Sequence, residues 1–124
     1  MDVQQAVFTQ LKVDIESLGY DVYDGELPSE GTPYPFVYLG NSTQNDNTTK
    51  SGSIGTMSQI IHVWHSNVKK RGTVSDMLFN IKNICRNIEN KYPVILSGMN
   101  QNIMPDSTTA KPLIHGVITV NFKF

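Results

Sequence analysis

Apolar positions recur along this chain with two different periods. Val3, Val7, Leu11, Ile15 and Leu18 are spaced by four, four, four and three, which predicts a helix over 3–18 with one buried stripe. Phe8 widens the stripe, and Gly19 stands where a left-handed C-terminal cap is expected. Val74, Met77, Leu78, Ile81, Ile84, Cys85 and Ile88 form the cleaner helical stripe of the two. Thr73 is its expected N-cap, Asp76 lies in the expected first turn, and the helix should end near Asn90 and Lys91, before Pro93.

The remaining apolar runs are short and β-branched or aromatic, which predicts strands. They are Tyr20–Tyr23, Phe36–Leu39 (ended by Gly40), Met57–Ser66, Val94–Met99 and Leu113–Phe124. The run Met57–Ser66 holds the one Trp and organises the chain. Its faces are Ile60, His62, Trp64 and Met57, Ile61, Val63, His65. Both carry apolar groups, so one face should meet the helices and the other a second sheet or a neighbouring subunit. In the last run Ile114, Ile118, Val120, Phe122 and Phe124 alternate with more polar positions, so one face is buried.

Polar stretches separate these elements. Residues 26–35 carry Pro28, Pro33 and Pro35 and predict a stiff connection. Residues 41–53 are Asn, Ser, Thr, Gly and Gln with one Asp and one Lys, and predict a long polar loop or the tip of an extended hairpin. Residues 101–112 predict another connection. The order of elements argues one α+β domain over 1–124, a mostly antiparallel sheet packed by two helices.

Composition narrows the function classes. Only 17% of residues are charged, and interface cores are depleted in charge. A net charge of -1 gives no bulk attraction to nucleic acid. Cys85 is the single cysteine, so no internal disulfide or cysteine metal site is expected, which fits a reducing compartment. The start, Met1-Asp2-Val3-Gln4, does not read as a signal peptide, and no apolar run is long enough to span a bilayer.

Candidate chemistry is sparse. His62 and His65 are three apart on a strand and point to opposite faces, which argues against a shared metal. His115 reads as a structural strand histidine, and Cys85 as a buried, inert thiol. Asn41-Ser42-Thr43 and Asn47-Thr48-Thr49 match a glycosylation pattern that needs a secretory route. Asn45-Asp46-Asn47 lacks the closing acidic residue of a calcium loop. No nucleophile elbow, phosphate-binding loop or dinucleotide fingerprint is present, so no catalytic residue, metal or cofactor is expected. Lys69-Lys70-Arg71 is the one basic cluster, either a solvated turn or a contact for phosphate or an acidic surface. Asn45, Asn47, Thr48, Thr49 and Lys50 are candidates for contact with a neighbouring subunit or partner, if their stretch orders on one.

Four short motifs then stand in order: Val22-Tyr23-Asp24-Gly25-Glu26-Leu27-Pro28, Tyr34-Pro35-Phe36-Val37-Tyr38-Leu39-Gly40, Ile61-His62-Val63-Trp64-His65-Ser66 before a helix, and His115-Gly116-Val117-Ile118. Together they resemble the small tail completion, or head-to-tail joining, proteins of long-tailed bacteriophages. The departures are His65, where that family often has Ser after the Trp, and the Asn/Thr-rich stretch. The resemblance implies a virion structural role without catalysis, at the tail–head interface, with assembly in the host cytoplasm. It implies a homo-oligomeric ring, hexameric, that caps the tail tube, meets head connector proteins and lets DNA pass through its lumen without specific binding. A non-enzymatic binding module using a sheet edge or the polar stretch is the competing reading; self-association discriminates the two.

Overall fold

The computed structural model describes residues 2–49, 52–108 and 111–124. The chain runs α1 (Val3–Glu16), β1 (Val22–Asp24), β2 (Phe36–Thr49), β3 (Gly52–His65), α2 (Arg71–Asn87), a 3-10 turn (Ile88–Asn90), β4 (Ile95–Asp106) and β5 (Leu113–Lys123). The five strands lie in one sheet in the order β1-β2-β3-β5-β4. Among the described residues only the β1–β2 pair is parallel. The architecture is the expected α+β sheet with two helices.

The two helices cover one side of the sheet. Val7, Leu11 and Ile15 of α1 and Val74, Leu78, Ile81 and Cys85 of α2 are fully buried there. They pack on Val37, Leu39, Met57, Ile61, Val63, Ile118, Val120 and Phe122, the inward positions of β2, β3 and β5. Period 3.6 on the helices and period 2 on the strands deliver these side chains to one layer. Gly116 makes room for α2: a Cβ there would lie 2.8 Å from Val74 and 2.9 Å from Leu78.

Gln59 is the one buried polar residue in this layer among the described residues. A bulge between Leu39 and Ser42 disturbs the β2–β3 ladder beside it. Its Nε2 donates to the carbonyls of Gly40 (3.1 Å) and Ile60 (2.9 Å), replacing bonds the bulge removes.

Residues 41–49 and 52–53 are strand and not loop. Strands β2 and β3 stay paired out to Thr49 and Gly52, so the hairpin alternative is the one adopted. The β3–β5 ladder stops at Thr56 and Lys123, followed by Gly55 and Phe124, which exchange backbone bonds of 2.9 and 3.0 Å. Beyond that point, among the described residues, only two strands continue, an arm of three residues on each strand that overhangs the sheet by roughly 10 Å at ~3.4 Å per residue. A Cβ on Gly55 would lie 2.5 Å from the Asn45 carbonyl and 2.7 Å from the Phe124 ring, so glycine fits the root of the arm. The start of α1 braces it: Gln4 donates from its backbone to Gln44 (3.0 Å) and from its side chain to Ser42 (2.9 Å).

Other boundaries move for identifiable reasons. α1 ends at Glu16 and turns through Gly19 at φ +90°, so Leu18 leaves the stripe and is exposed. α2 begins at Arg71, so Thr73 is inside the helix and not its cap; Lys70 holds that position with no side-chain cap bond. Strand β2 passes through Gly40. Strand β4 continues to Asp106, because β5 pairs with it as far as Asp106↔Leu113, so much of the expected 101–112 connection is strand.

Candidate functional site

The side of the sheet away from the helices carries the outward residues of β3: Ile60, His62 and Trp64. Neither helix covers it. Phe36 and Tyr38 flank them from β2, and His115 and Val117 from β5. Strand alternation decides this, because the partners Met57, Ile61 and Val63 point to the helices. Trp64 is therefore half-buried on the open face and is not a core ring.

A chain of rings crosses this face. Trp64 and His115 stack with centroids 3.6 Å apart and planes 4° from parallel. The Gly55–Phe124 exchange makes the odd residues of β3 the hydrogen-bonded partners of β5, so Trp64 and His115 form a non-bonded pair. Side chains approach closest in such pairs, which accounts for the stack. His62 sits diagonally across, its Nδ1 2.8 Å from Nε2 of His115. The Tyr38 ring lies 5.9 Å from His62, and the Tyr38 hydroxyl donates to the Gly25 carbonyl. Gly40 leaves space for His62; a Cβ there would lie 2.8 Å from its Nε2.

One proton fits between the facing nitrogens of His62 and His115, so one donates and the other accepts. Burial lowers the pKa of His62. Burial, then the neighbouring His62, bring His115 down to about 4, with Asp106 pulling the other way. Both rings are neutral at neutral pH. The carboxyl of Asp106 is itself held low by the Thr108 hydroxyl (2.6 Å) and backbone N–H (2.9 Å).

At the end of this face the 25–35 segment folds over the sheet. Tyr34 packs on Phe36 at 5.2 Å and Tyr23 meets Phe36 edge-on at 5.5 Å. Two adjoining clefts of about 550 and 320 Å³ lie beneath, sharing Pro28, Tyr34, Phe36 and Leu113. The smaller also reaches Trp64, whose Nε1 is buried without a hydrogen-bond partner.

The residues singled out from sequence fall in two separate places. Asn45 is exposed at the root of the arm and Asn47 on it, Thr48 and Thr49 continue β2, and Lys50 lies outside the described residues. Ile54, opposite Asn47, is exposed beside them. Lys69, Lys70 and Arg71 are exposed in the turn into α2, at the other end of β3 from the arm. They form no ion pair among the described residues; the pairs there are Lys12–Asp24 and Lys91–Asp14, each at 2.9 Å. Cys85 is fully buried, and burial pushes its thiol up to about 12, so it is a poor nucleophile. Among the described residues no three His, Cys, Asp or Glu side chains are placed to hold a metal ion. Sequence spacing placed His62 on the Trp64 face but could not bring His115 to it, because that contact depends on strand order.

Among solved structures, a chain of the virion of a native gene transfer agent particle is similar to this one, with a TM-score of 0.49 and 17% identity over 98% of this chain and 95% of that chain. No family model matches the chain, and no curated protein matches it.

Proposed function

We propose that this chain is a virion structural protein of the tail-completion kind, a subunit of a homo-oligomeric ring that caps a phage tail tube and joins it to the head. The observation that carries the reading is the one-sided sheet: two helices close one side, and the other bares a row of rings and aliphatic groups beside an overhanging arm. Such a surface is suited to burial against other copies. The four ordered motifs that resemble tail completion proteins point the same way. A ring needs two different patches on each subunit, and an arm and a sheet side meet that requirement.

In this reading Asn45, Asn47, Thr48, Thr49 and Lys50 contact the neighbouring copy or the tail tube. Lys69, Lys70 and Arg71 face an acidic partner surface or phosphate. Six copies surround a lumen for DNA, and the near-neutral charge avoids tight binding to the passing duplex. A non-enzymatic binding module is the second reading, favoured by the sheet edges on which no strand lies among the described residues.

Light scattering across a concentration series, with negative-stain images of the same sample, tests the proposal. Rings of uniform size are expected, alone or on purified tail tubes. A chain that stays monomeric on its own and in the presence of tail tubes overturns it.

A further inference from the structure

The sheet ends in two edges whose hydrogen-bonding groups match. On β5, the exchange between Phe124 and Gly55 assigns even residues to β3 and odd residues to β4. On β4, the partners of those even residues are Met99, Gln101, Ile103 and Pro105. These four turn their backbone groups away from β5. Pro105 agrees with this, since it has no N–H to give to a ladder. Met99, Gln101 and Ile103 thus present three N–H and three C=O groups at the outer edge.

On β2, Val37 donates to the Asp21 carbonyl at 2.8 Å, so the odd residues there face β1. The bulge after Leu39 shifts the phase. Past it, Thr43, Asn45 and Asn47 bond to the even residues of β3, and Ser42, Gln44 and Asp46 turn outward. Strand β1 covers β2 only at Val37–Leu39, so among the described residues no strand lies on this second edge past the bulge.

We propose that in the assembled ring the outer edge of β4 of one copy pairs antiparallel with the outer edge of β2 of the next, in the register Ser42↔Ile103, Gln44↔Gln101 and Asp46↔Met99. This rests on the ring reading. Three observations carry it. The strand order makes β2 and β4 run in opposite directions, as an antiparallel join requires. Ser42 and Gln44 on one edge, and Met99 and Ile103 on the other, point their side chains to the helix side. Bonded antiparallel pairs share a face, so the join keeps every copy's helices on one side and every copy's ring-bearing face on the other. Third, neither free stretch carries a Lys, Arg or Pro, the residues that keep exposed edges apart; Asp46 is the one charge, and Pro105 and the bulge at Leu96 and Gly98 bound the β4 stretch. The buried Gln101 Oε1, which has no hydrogen-bond partner, comes beside the Gln44 side chain in this register. The partner is a second copy of this chain, bound head to tail, and the contact is open-ended until rotation closes the ring.

Thr43 and Asn102, both exposed, become a non-bonded pair across the join, with Cα atoms at roughly 4.5 Å, within disulfide reach. The full-length Thr43→Cys/Asn102→Cys variant should give an intermolecular disulfide ladder on oxidation, ending at the ring size. The out-of-register Asn45→Cys/Met104→Cys variant should not. Gln101→Pro should weaken self-association by roughly tenfold or more while the dilute chain keeps its melting temperature. Assembly without the in-register cross-link, or equal cross-linking by both pairs, overturns the edge pairing and leaves the ring reading standing. A chain that neither assembles nor cross-links at any concentration, with or without tail tubes, overturns both.

Discussion

Acid should loosen the His62–His115 brace before it unfolds the core. The two nitrogens at 2.8 Å share one proton, so adding a second sets two N–H donors against each other next to Trp64. His115 has a folded pKa near 4 against 6.5 for the free side chain. A histidine with a depressed folded pKa contributes stability that is fully present above pH 6.5 and is lost as pH falls from 6.5 to about 4. The linkage ceiling over that interval is ~3 kcal/mol. Because the ring is only half-buried, solvent screening reduces the expected loss to about 1–2 kcal/mol. Urea unfolding at pH 7, 5.5 and 4, followed by far-UV circular dichroism, measures it. Carboxylates titrate in the same range, so the quantity of interest is the acid loss of the wild type minus that of His115→Gln. Trp64, the single Trp, supplies a second readout: its fluorescence should change with the same midpoint in the wild type and not in the variant. An identical acid loss in both proteins, or an imidazole titration near 6.5 by NMR, would refute the coupling.

Ile118→Ala, fully buried on the side of β5 that α2 covers, should cost about 2–5 kcal/mol in denaturant unfolding. Gly116→Ala should push α2 away through Val74 and Leu78 and cost about 1–3 kcal/mol; an unchanged melting temperature would show that α2 shifts freely. Cys85 should stay unmodified by a thiol reagent in the native state at pH 8 and react on unfolding. Trp64→Ala should cost less than the ~3–5 kcal/mol of a core ring, since its ring is half-buried on the open face. Deleting residues 47–54 should leave the melting temperature within a few degrees and impair assembly, scored by light scattering; normal rings would remove the arm from the interface.

Much of this fold was legible in one dimension. Both helices follow from the spacing of Val7, Leu11, Ile15 and of Val74, Leu78, Ile81, because the α-helix turns any such spacing into one face. The inward set of β5 follows from alternation in the same way. Element ends were less legible. Gln101 and Asn102 read as connection, yet they stay in strand because β5 holds them, and residues 41–49 stay in strand because β3 does. Pairing partners far along the chain supply those hydrogen bonds, and local propensity does not contain them.

The sequence by itself determined which residues can be buried and in which local geometry, since that depends on side-chain chemistry and helix or strand period alone. It also determined that the chain carries no recognisable catalytic motif. Only the tertiary structure decided which face of β3 meets the helices, because Ile61 and Trp64 are both apolar enough for either role. It brought His115 onto Trp64, 51 positions away in numbering, through the adjacency of β3 and β5. It also decided which backbone groups of β2 and β4 point outward, a property of strand order and of one bulge that no single segment encodes.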